Sequence, residues 1–124
     1  SILLVDDELR VVRYFKRRLL HQGYQVEAFT DPEEALDVFK GNPEQWDLLI
    51  VDEAMPKLRG TVLLQHMKQY NHSLRVILVT GLVGDSAIRL HAERQIDEIL
   101  TKPVEFETLS GTVARLLSGE AWGK

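Results

Sequence analysis

Four short stretches of this 124-residue chain carry side chains that could act together on one substrate. They are Asp6-Asp7-Glu8, Asp52, Thr80-Gly81 and Lys102-Pro103. Gathered in one place, they would make a pocket of three carboxylates (Asp6, Asp7, Asp52), one hydroxyl and one ammonium. Carboxylates a few ångströms apart repel, and one would normally be forced to protonate. A divalent cation removes that conflict. All-oxygen ligation suits Mg²⁺, which keeps several waters and binds through one or two carboxylates plus phosphate. Lys102 can pair with a phosphoryl oxygen as a point charge. Thr80 can donate its hydroxyl to another, and Gly81 leaves space for an approaching phosphoryl group. Each group alone has a plainer reading. Strand-end acids are common helix caps, a strand-end threonine is a good β-former, and a lysine before proline is usually a solvated loop residue. Three acids at the ends of two adjacent strands are harder to dismiss.

The elements that must position these groups are legible as patterns. Ile2–Val5, Leu48–Val51 and Val76–Val79 are short continuous apolar runs rich in β-branched residues. That pattern predicts strands covered on both faces, as in a parallel sheet. Tyr24–Phe29 alternates and predicts an edge strand, and a weaker fifth strand is expected around Glu98–Thr101. Helices are expected between them. Val12, Phe15 and Leu19 recur at helical spacing, with Gly23 as a stop. Asp31-Pro32-Glu33 reads as a helix start, with a capping acid, a first-turn proline and further acids. Ala35, Leu36 and Phe39 then face the core. A third helix should run from near Gly60 to Tyr70 on Leu63, Met67 and Tyr70, and a poorly amphipathic fourth lies within Asp85 to Arg94. The last carries Phe106, Leu109, Val113 and Leu116 on one stripe. Strand and helix alternate about five times, which predicts an α/β fold with a parallel sheet. Ligands in such sheets bind at the carboxyl ends of the strands. All four chemical stretches fall there.

Val5-Asp6-Asp7-Glu8, Asp52-Glu53-Ala54-Met55-Pro56 with Gly60 following, Thr80-Gly81 and Lys102-Pro103 resemble the motif set of response-regulator receiver domains of two-component signalling. Order and spacing match across nearly the whole chain. The resemblance implies a flavodoxin-like doubly wound fold over residues 1–124. Its five-stranded parallel sheet would run in the order 2-1-3-4-5, with helices on both faces. It implies that Asp52 is phosphorylated, and that Asp6, Asp7, Asp52 and the backbone carbonyl of Ala54 hold Mg²⁺. Thr80 and Lys102 would contact the phosphoryl group, and the bond before Pro103 would be cis. The implied partners are a histidine kinase or phosphotransfer domain and an output domain or protein partner, fused or separate. A homodimer is a further expectation. Direct nucleic-acid binding and membrane association are not expected.

One position departs from the commonest pattern. Many receivers carry an aromatic three residues before the lysine, and this chain has Ile99. Isoleucine is stiff and lacks a polar tip, so output is expected through the fourth helix or the Thr80 loop instead of a threonine–aromatic relay. The run Ile96-Asp97-Glu98-Ile99-Leu100-Thr101-Lys102-Pro103-Val104 is similar to receivers appended to hybrid histidine kinases or larger sensors. Two other classes share parts of this pattern. A phosphatase or phosphotransferase using Asp52 as nucleophile usually carries a second acid two residues on, where this chain has Ala54, and usually needs a cap domain. A flavin-binding or silent pseudo-receiver module is the other, and no Gly/Ser/Thr-rich phosphate loop follows the first strand.

The bulk properties agree. The length is that of one ordinary domain. There is no cysteine, which excludes disulfide and thiolate chemistry. No apolar run approaches the roughly 20 residues of a membrane-spanning helix, and Ile2–Val5 is too short for a signal peptide, so a cytoplasmic location is expected. The net charge of −4 argues against direct nucleic-acid binding. The cluster Arg13, Lys16, Arg17, Arg18 reads as the solvated face of a helix. His21, His66, His72 and His91 lack zinc-ligand spacing. Trp46 and Trp122 read as packing or tail residues. A start at Ser1, directly on an apolar run, fits a piece of a longer protein.

Overall fold

The apolar runs are strands because every residue in them is covered. The computed structural model describes residues 1–81 and 95–118. Strands β1 (Ile2–Val5), β2 (Val26–Phe29), β3 (Leu48–Asp52), β4 (Arg75–Thr80) and β5 (Glu98–Thr101) form one parallel sheet in the order β2-β1-β3-β4-β5. This is the doubly wound order expected from the sequence. β1 and β3 are buried at every position. Among the described residues β2 pairs with β1 alone, and its pattern is mixed, as an edge requires. It is shorter than the expected Tyr24–Phe29.

Side chains alternate across the sheet, and the core divides accordingly. Leu3, Val5, Leu49, Val51, Val76 and Leu78 pack on one face against helices α2 (Pro32–Gly41) and α3 (Gly60–Tyr70). Ile2, Leu4, Leu48, Ile50, Ile77 and Val79 pack on the other against α1 (Leu9–His21) and α4 (Phe106–Ser118). The helix stripes supply the matching residues: Phe15 and Leu19, Ala35 and Phe39, Leu63 and Met67, Phe106, Leu109, Val113 and Leu116.

Local chemistry sets the ends. Asp31 caps α2 by accepting the Glu33 amide at 2.9 Å, with Pro32 in the first turn and Glu33 and Glu34 complementing the helix dipole. Gly23 follows α1 at φ +99°, a conformation that L side chains rarely adopt. Tyr70 differs from expectation. Leu64, not Tyr70, joins Leu63 and Met67 in the core, and Tyr70 is exposed at the end of α3, where the Lys40 ammonium lies 5.8 Å from its ring. Trp46 packs in the core, as read. The helix expected within Asp85–Arg94, His91 and Trp122 lie outside the described residues.

The outward face of α1 is strongly basic. Arg10, Arg13, Lys16, Arg17 and Arg18 lie in a helix with no acid, beside the exposed Leu9, Tyr14 and Leu20. Arg18 stacks on the Phe106 ring at 4.3 Å and donates to the Tyr14 hydroxyl at 2.7 Å, joining α1 to the start of α4. No helix among the described residues is long and apolar enough to cross a membrane.

Candidate metal and phosphoryl site

The sheet brings four of the expected side chains into contact range. Asp6 directly follows β1 and Asp52 ends β3, on adjacent strands in matched register. One carboxylate oxygen from each of Asp6, Asp7 and Asp52 lies within 4.8 Å of the others. Asp6 and Asp52 are buried, and Asp7 is the most open of the three. Lys102, just beyond β5, reaches back so that its Nζ stands 3.0 Å from Asp52 Oδ1. Its backbone amide donates to the Thr80 carbonyl at 2.9 Å, and the Lys102–Pro103 peptide bond is cis. Thr80 is buried at the end of β4, one residue beyond the Asp52–Val79 pair. Ile99 sits on β5 opposite Leu78 and packs on the α2–α3 face.

The electrostatics follow from burial. Both carboxylate oxygens of Asp52 are shielded from solvent, and the Lys102 ammonium is the charged partner of Oδ1. Burial pushes the Asp52 carboxyl up. The Lys102 ammonium and the Ala54 amide pull it down, and the Asp7 charge adds to the rise. Burial likewise raises Asp6, to about 6. The Glu8 amide, which donates to Asp6 Oδ1 at 2.9 Å, opposes that rise, and repulsion from Asp52 adds to it. Asp6 thus also does the ordinary work of a turn acid. Burial opposes the charge on Lys102, but the Asp52 carboxylate, with Asp6 and Glu8 further off, outweighs it and raises Lys102.

Two buried acids beside a more open third form a set of hard oxygen donors that suits Mg²⁺. Asp6, Asp7 and Asp52 could hold the ion. The loop after Asp52 is shaped to come close. Gly60 lies against the Asp52 backbone, and a Cβ there would collide with the Asp52 carbonyl oxygen. Leu58 donates to the Pro56 carbonyl at 2.7 Å across Lys57, which has φ +72°. Lys57 Nζ pairs with Asp31 at 3.2 Å and Glu33 at 3.9 Å, tying the loop to the start of α2. A cleft of about 570 Å³ opens beside the acids, with Asp6, Asp52 and Lys102 at its polar end and Val11, Tyr14 and Val104 in its apolar part.

Sequence reasoning missed Glu53. Its carboxylate accepts the Thr61 amide at 2.8 Å and the Thr61 hydroxyl at 3.2 Å. The available signal was at position 59, where an arginine stands and a helix-capping side chain would be expected.

Comparison with known proteins points the same way. The family model described as "Response regulator receiver domain" matches residues 2–114. A relative described as a probable transcriptional regulator, ycf27 of Cyanophora paradoxa, is 35% identical over 94% of this chain and 48% of its own length. The chain spans about half the length of the curated relatives it matches. The structure of a response regulator receiver domain protein from Clostridium thermocellum superposes with a TM-score of 0.86 at 29% identity, covering 97% of this chain and 95% of that one. The response regulator TrrA of Thermotoga maritima, solved in complex with Mg²⁺ and BeF, superposes with a TM-score of 0.77 at 30% identity, covering 94% and 97%.

Proposed function

Because the chain belongs to the response regulator receiver domain family, we propose that it is a phosphorelay module in which Asp52 takes a phosphoryl group in a Mg²⁺-dependent reaction. One observation carries the reading. A buried carboxylate is held beside a lysine ammonium, 3.0 Å from its Oδ1, and close to two further acids. Acids so close together favour a bound cation, and Asp52, paired with the ammonium, is the acceptor.

The donor is a phosphohistidine on a histidine kinase or phosphotransfer domain. An Asp52 Oδ attacks phosphorus in line, the P–N bond breaks, and the imidazole leaves with the electron pair. Positioning and charge neutralisation carry such a transfer, because little proton movement is needed. Lys102 neutralises charge on its side of Asp52. Asp6 and Asp7, with Asp52 and the Ala54 carbonyl, would hold Mg²⁺, which supplies the remaining neutralisation when bound. Thr80 offers its hydroxyl to a phosphoryl oxygen. Hydrolysis of the acyl phosphate then restores Asp52, so the chain acts as an acceptor with slow self-dephosphorylation. The new group adds about −1.5 to −2 charges at the strand ends. That change controls an output domain or partner protein. We place the whole of residues 1–124 in this one module, in the cytoplasm.

Mass spectrometry tests this. With Mg²⁺ and acetyl phosphate or phosphoramidate, the protein gains one phosphoryl group, and Asp52→Asn does not. An unshifted wild-type mass, or persistent labelling of Asp52→Asn, would remove the proposal.

A further inference from the structure

Helix α3 starts without the device that helices normally use. Its first amides have no partner inside the helix. The residue in the capping position is Arg59, which makes no side-chain cap, and the first turn holds no acid. The cap comes from eight residues earlier. Glu53 accepts the Thr61 amide through Oε1 at 2.8 Å and the Thr61 hydroxyl through Oε2 at 3.2 Å. Its side chain is only 17% exposed, and Thr61 is buried. The Glu53 backbone is held as firmly. Its amide donates to Val79 on β4 at 2.8 Å, and its carbonyl accepts the Gly60 amide at 3.1 Å. One residue therefore closes the 54–60 loop at both ends, through main chain and side chain together.

Resting on the phosphorelay reading above, we propose that Glu53 is a positioning residue for the metal site: it sets the loop that presents the Ala54 carbonyl. Glu53 lies between Asp52 and Ala54 in sequence, so any slack in its anchorage moves both neighbouring groups. Mg²⁺ tolerates little departure from octahedral geometry. A loop free to open at its Glu53–Thr61 closure spends part of its time with the Ala54 carbonyl out of place. Affinity falls by the fraction of time lost. The carboxylate also complements the positive end of the α3 dipole, but the positioning role depends on the two hydrogen bonds and not on the charge.

Glutamine separates these effects, because its amide oxygen still accepts the Thr61 amide while its charge is gone. The experiment is titration calorimetry with MgCl₂ on the intact chain, alongside thermal melts in EDTA. Glu53→Ala should raise the Mg²⁺ Kd roughly fivefold or more, which is about 1 kcal/mol. Glu53→Gln should stay within about twofold of wild type. Thr61→Val, which removes only the hydroxyl bond, should fall between them at roughly threefold. A Glu53→Ala protein that melts cooperatively and binds Mg²⁺ like wild type overturns the proposal. So does a Glu53→Gln loss equal to that of alanine, which would assign the effect to charge. If Glu53→Ala does not fold, an unchanged Kd in Thr61→Val overturns it. Failure of the wild-type chain to bind Mg²⁺ would overturn this proposal and the metal-dependent reading beneath it together, which sets that result apart from a failure of Glu53 alone.

Discussion

Gly60 packs against the backbone carbonyl of Asp52 with no room for a methyl group between them. A Cβ at position 60 would lie 3.0 Å from the Asp52 carbonyl carbon and 3.1 Å from Glu53 Cα, on top of the carbonyl oxygen. These obstacles are backbone, so they cannot swing aside. Gly60→Ala should therefore destabilise the fold by about 2 kcal/mol, in the range of core overpacking. It should also weaken Mg²⁺ binding, because the strand end that carries Asp52 must shift. Urea unfolding of the two proteins gives the difference, and a change under about 0.5 kcal/mol contradicts the close fit.

Asp52 lowers stability where it stands. Its carboxylate is buried, and burial raises its pKa against the opposing pull of Lys102 and the Ala54 amide. Asparagine removes the charge at nearly the same size. Asp52→Asn should thus be more stable than wild type in EDTA near pH 8, by about 1–2 kcal/mol. Lys102 loses its partner in that variant, but its side chain is 35% exposed and can be solvated. A lower melting temperature for Asp52→Asn would count against this account of the site.

The pH dependence has a defined sign. Asp6 binds its proton more tightly folded, at about 6, than its ordinary 3.8. Its contribution to metal-free stability is therefore complete below about pH 4 and is lost as pH rises through about 6. The loss is at most about 3 kcal/mol, and Asp52, also raised, acts in the same direction. Asp31 has a lowered pKa and acts oppositely at low pH, so the comparison needs Asp6→Asn. The stability of wild type relative to Asp6→Asn should decline between pH 4.5 and 7.5 in EDTA, roughly by that amount. Mg²⁺ requires the deprotonated acids, so its Kd should fall over the same interval. A flat difference would mean that Asp6 is not buried against Asp52 as described.

Lys102 keeps its charge at every working pH, since the acids around it raise it. Lys102→Met keeps much of the stem and deletes the ammonium. Phosphorylation from acetyl phosphate should slow by about 100-fold, the usual cost of one charge-stabilising group. Mg²⁺ binding should persist. A labelling rate within threefold of wild type would show that the ion pair is structural only.

Asn71 provides the contrasting case at the far end of the sheet. Its amide donates to the Pro43 and Trp46 carbonyls at 3.0 and 3.1 Å, and its oxygen accepts the Ser73 amide at 3.0 Å. Asn71→Ala strands three backbone groups and should cost about 1–3 kcal/mol. The folded fraction should label at Asp52 at the wild-type rate, measured by mass spectrometry below the melting range.

The fold was legible where burial acts on every residue. Ile2–Val5 and Leu48–Val51 could only be strands with both faces covered, and the helix stripes of α1 and α4 follow one period along their length. Tyr70 shares the face of Leu63 by helical spacing, but it is the last residue of α3 and is exposed there, which spacing alone does not reveal. The three acids and Lys102 were found as types at strand ends, since a parallel sheet delivers such ends to one edge. Glu53 was not, because the capping role missing at Arg59 is filled from six residues upstream of it, a distance that no cap motif spans. Asn71 escaped for the same reason: the two carbonyls that its side-chain amide reaches lie 28 and 25 residues away.

The basic face of α1 makes the molecule electrically lopsided. The chain carries −4, and α1 alone contributes five cations, so the other residues carry −9. The field of α1 draws anionic groups within about a Debye length, roughly 8 Å in physiological salt. Since α1 begins two residues after Asp7, they will arrive beside the mouth of the acidic cluster.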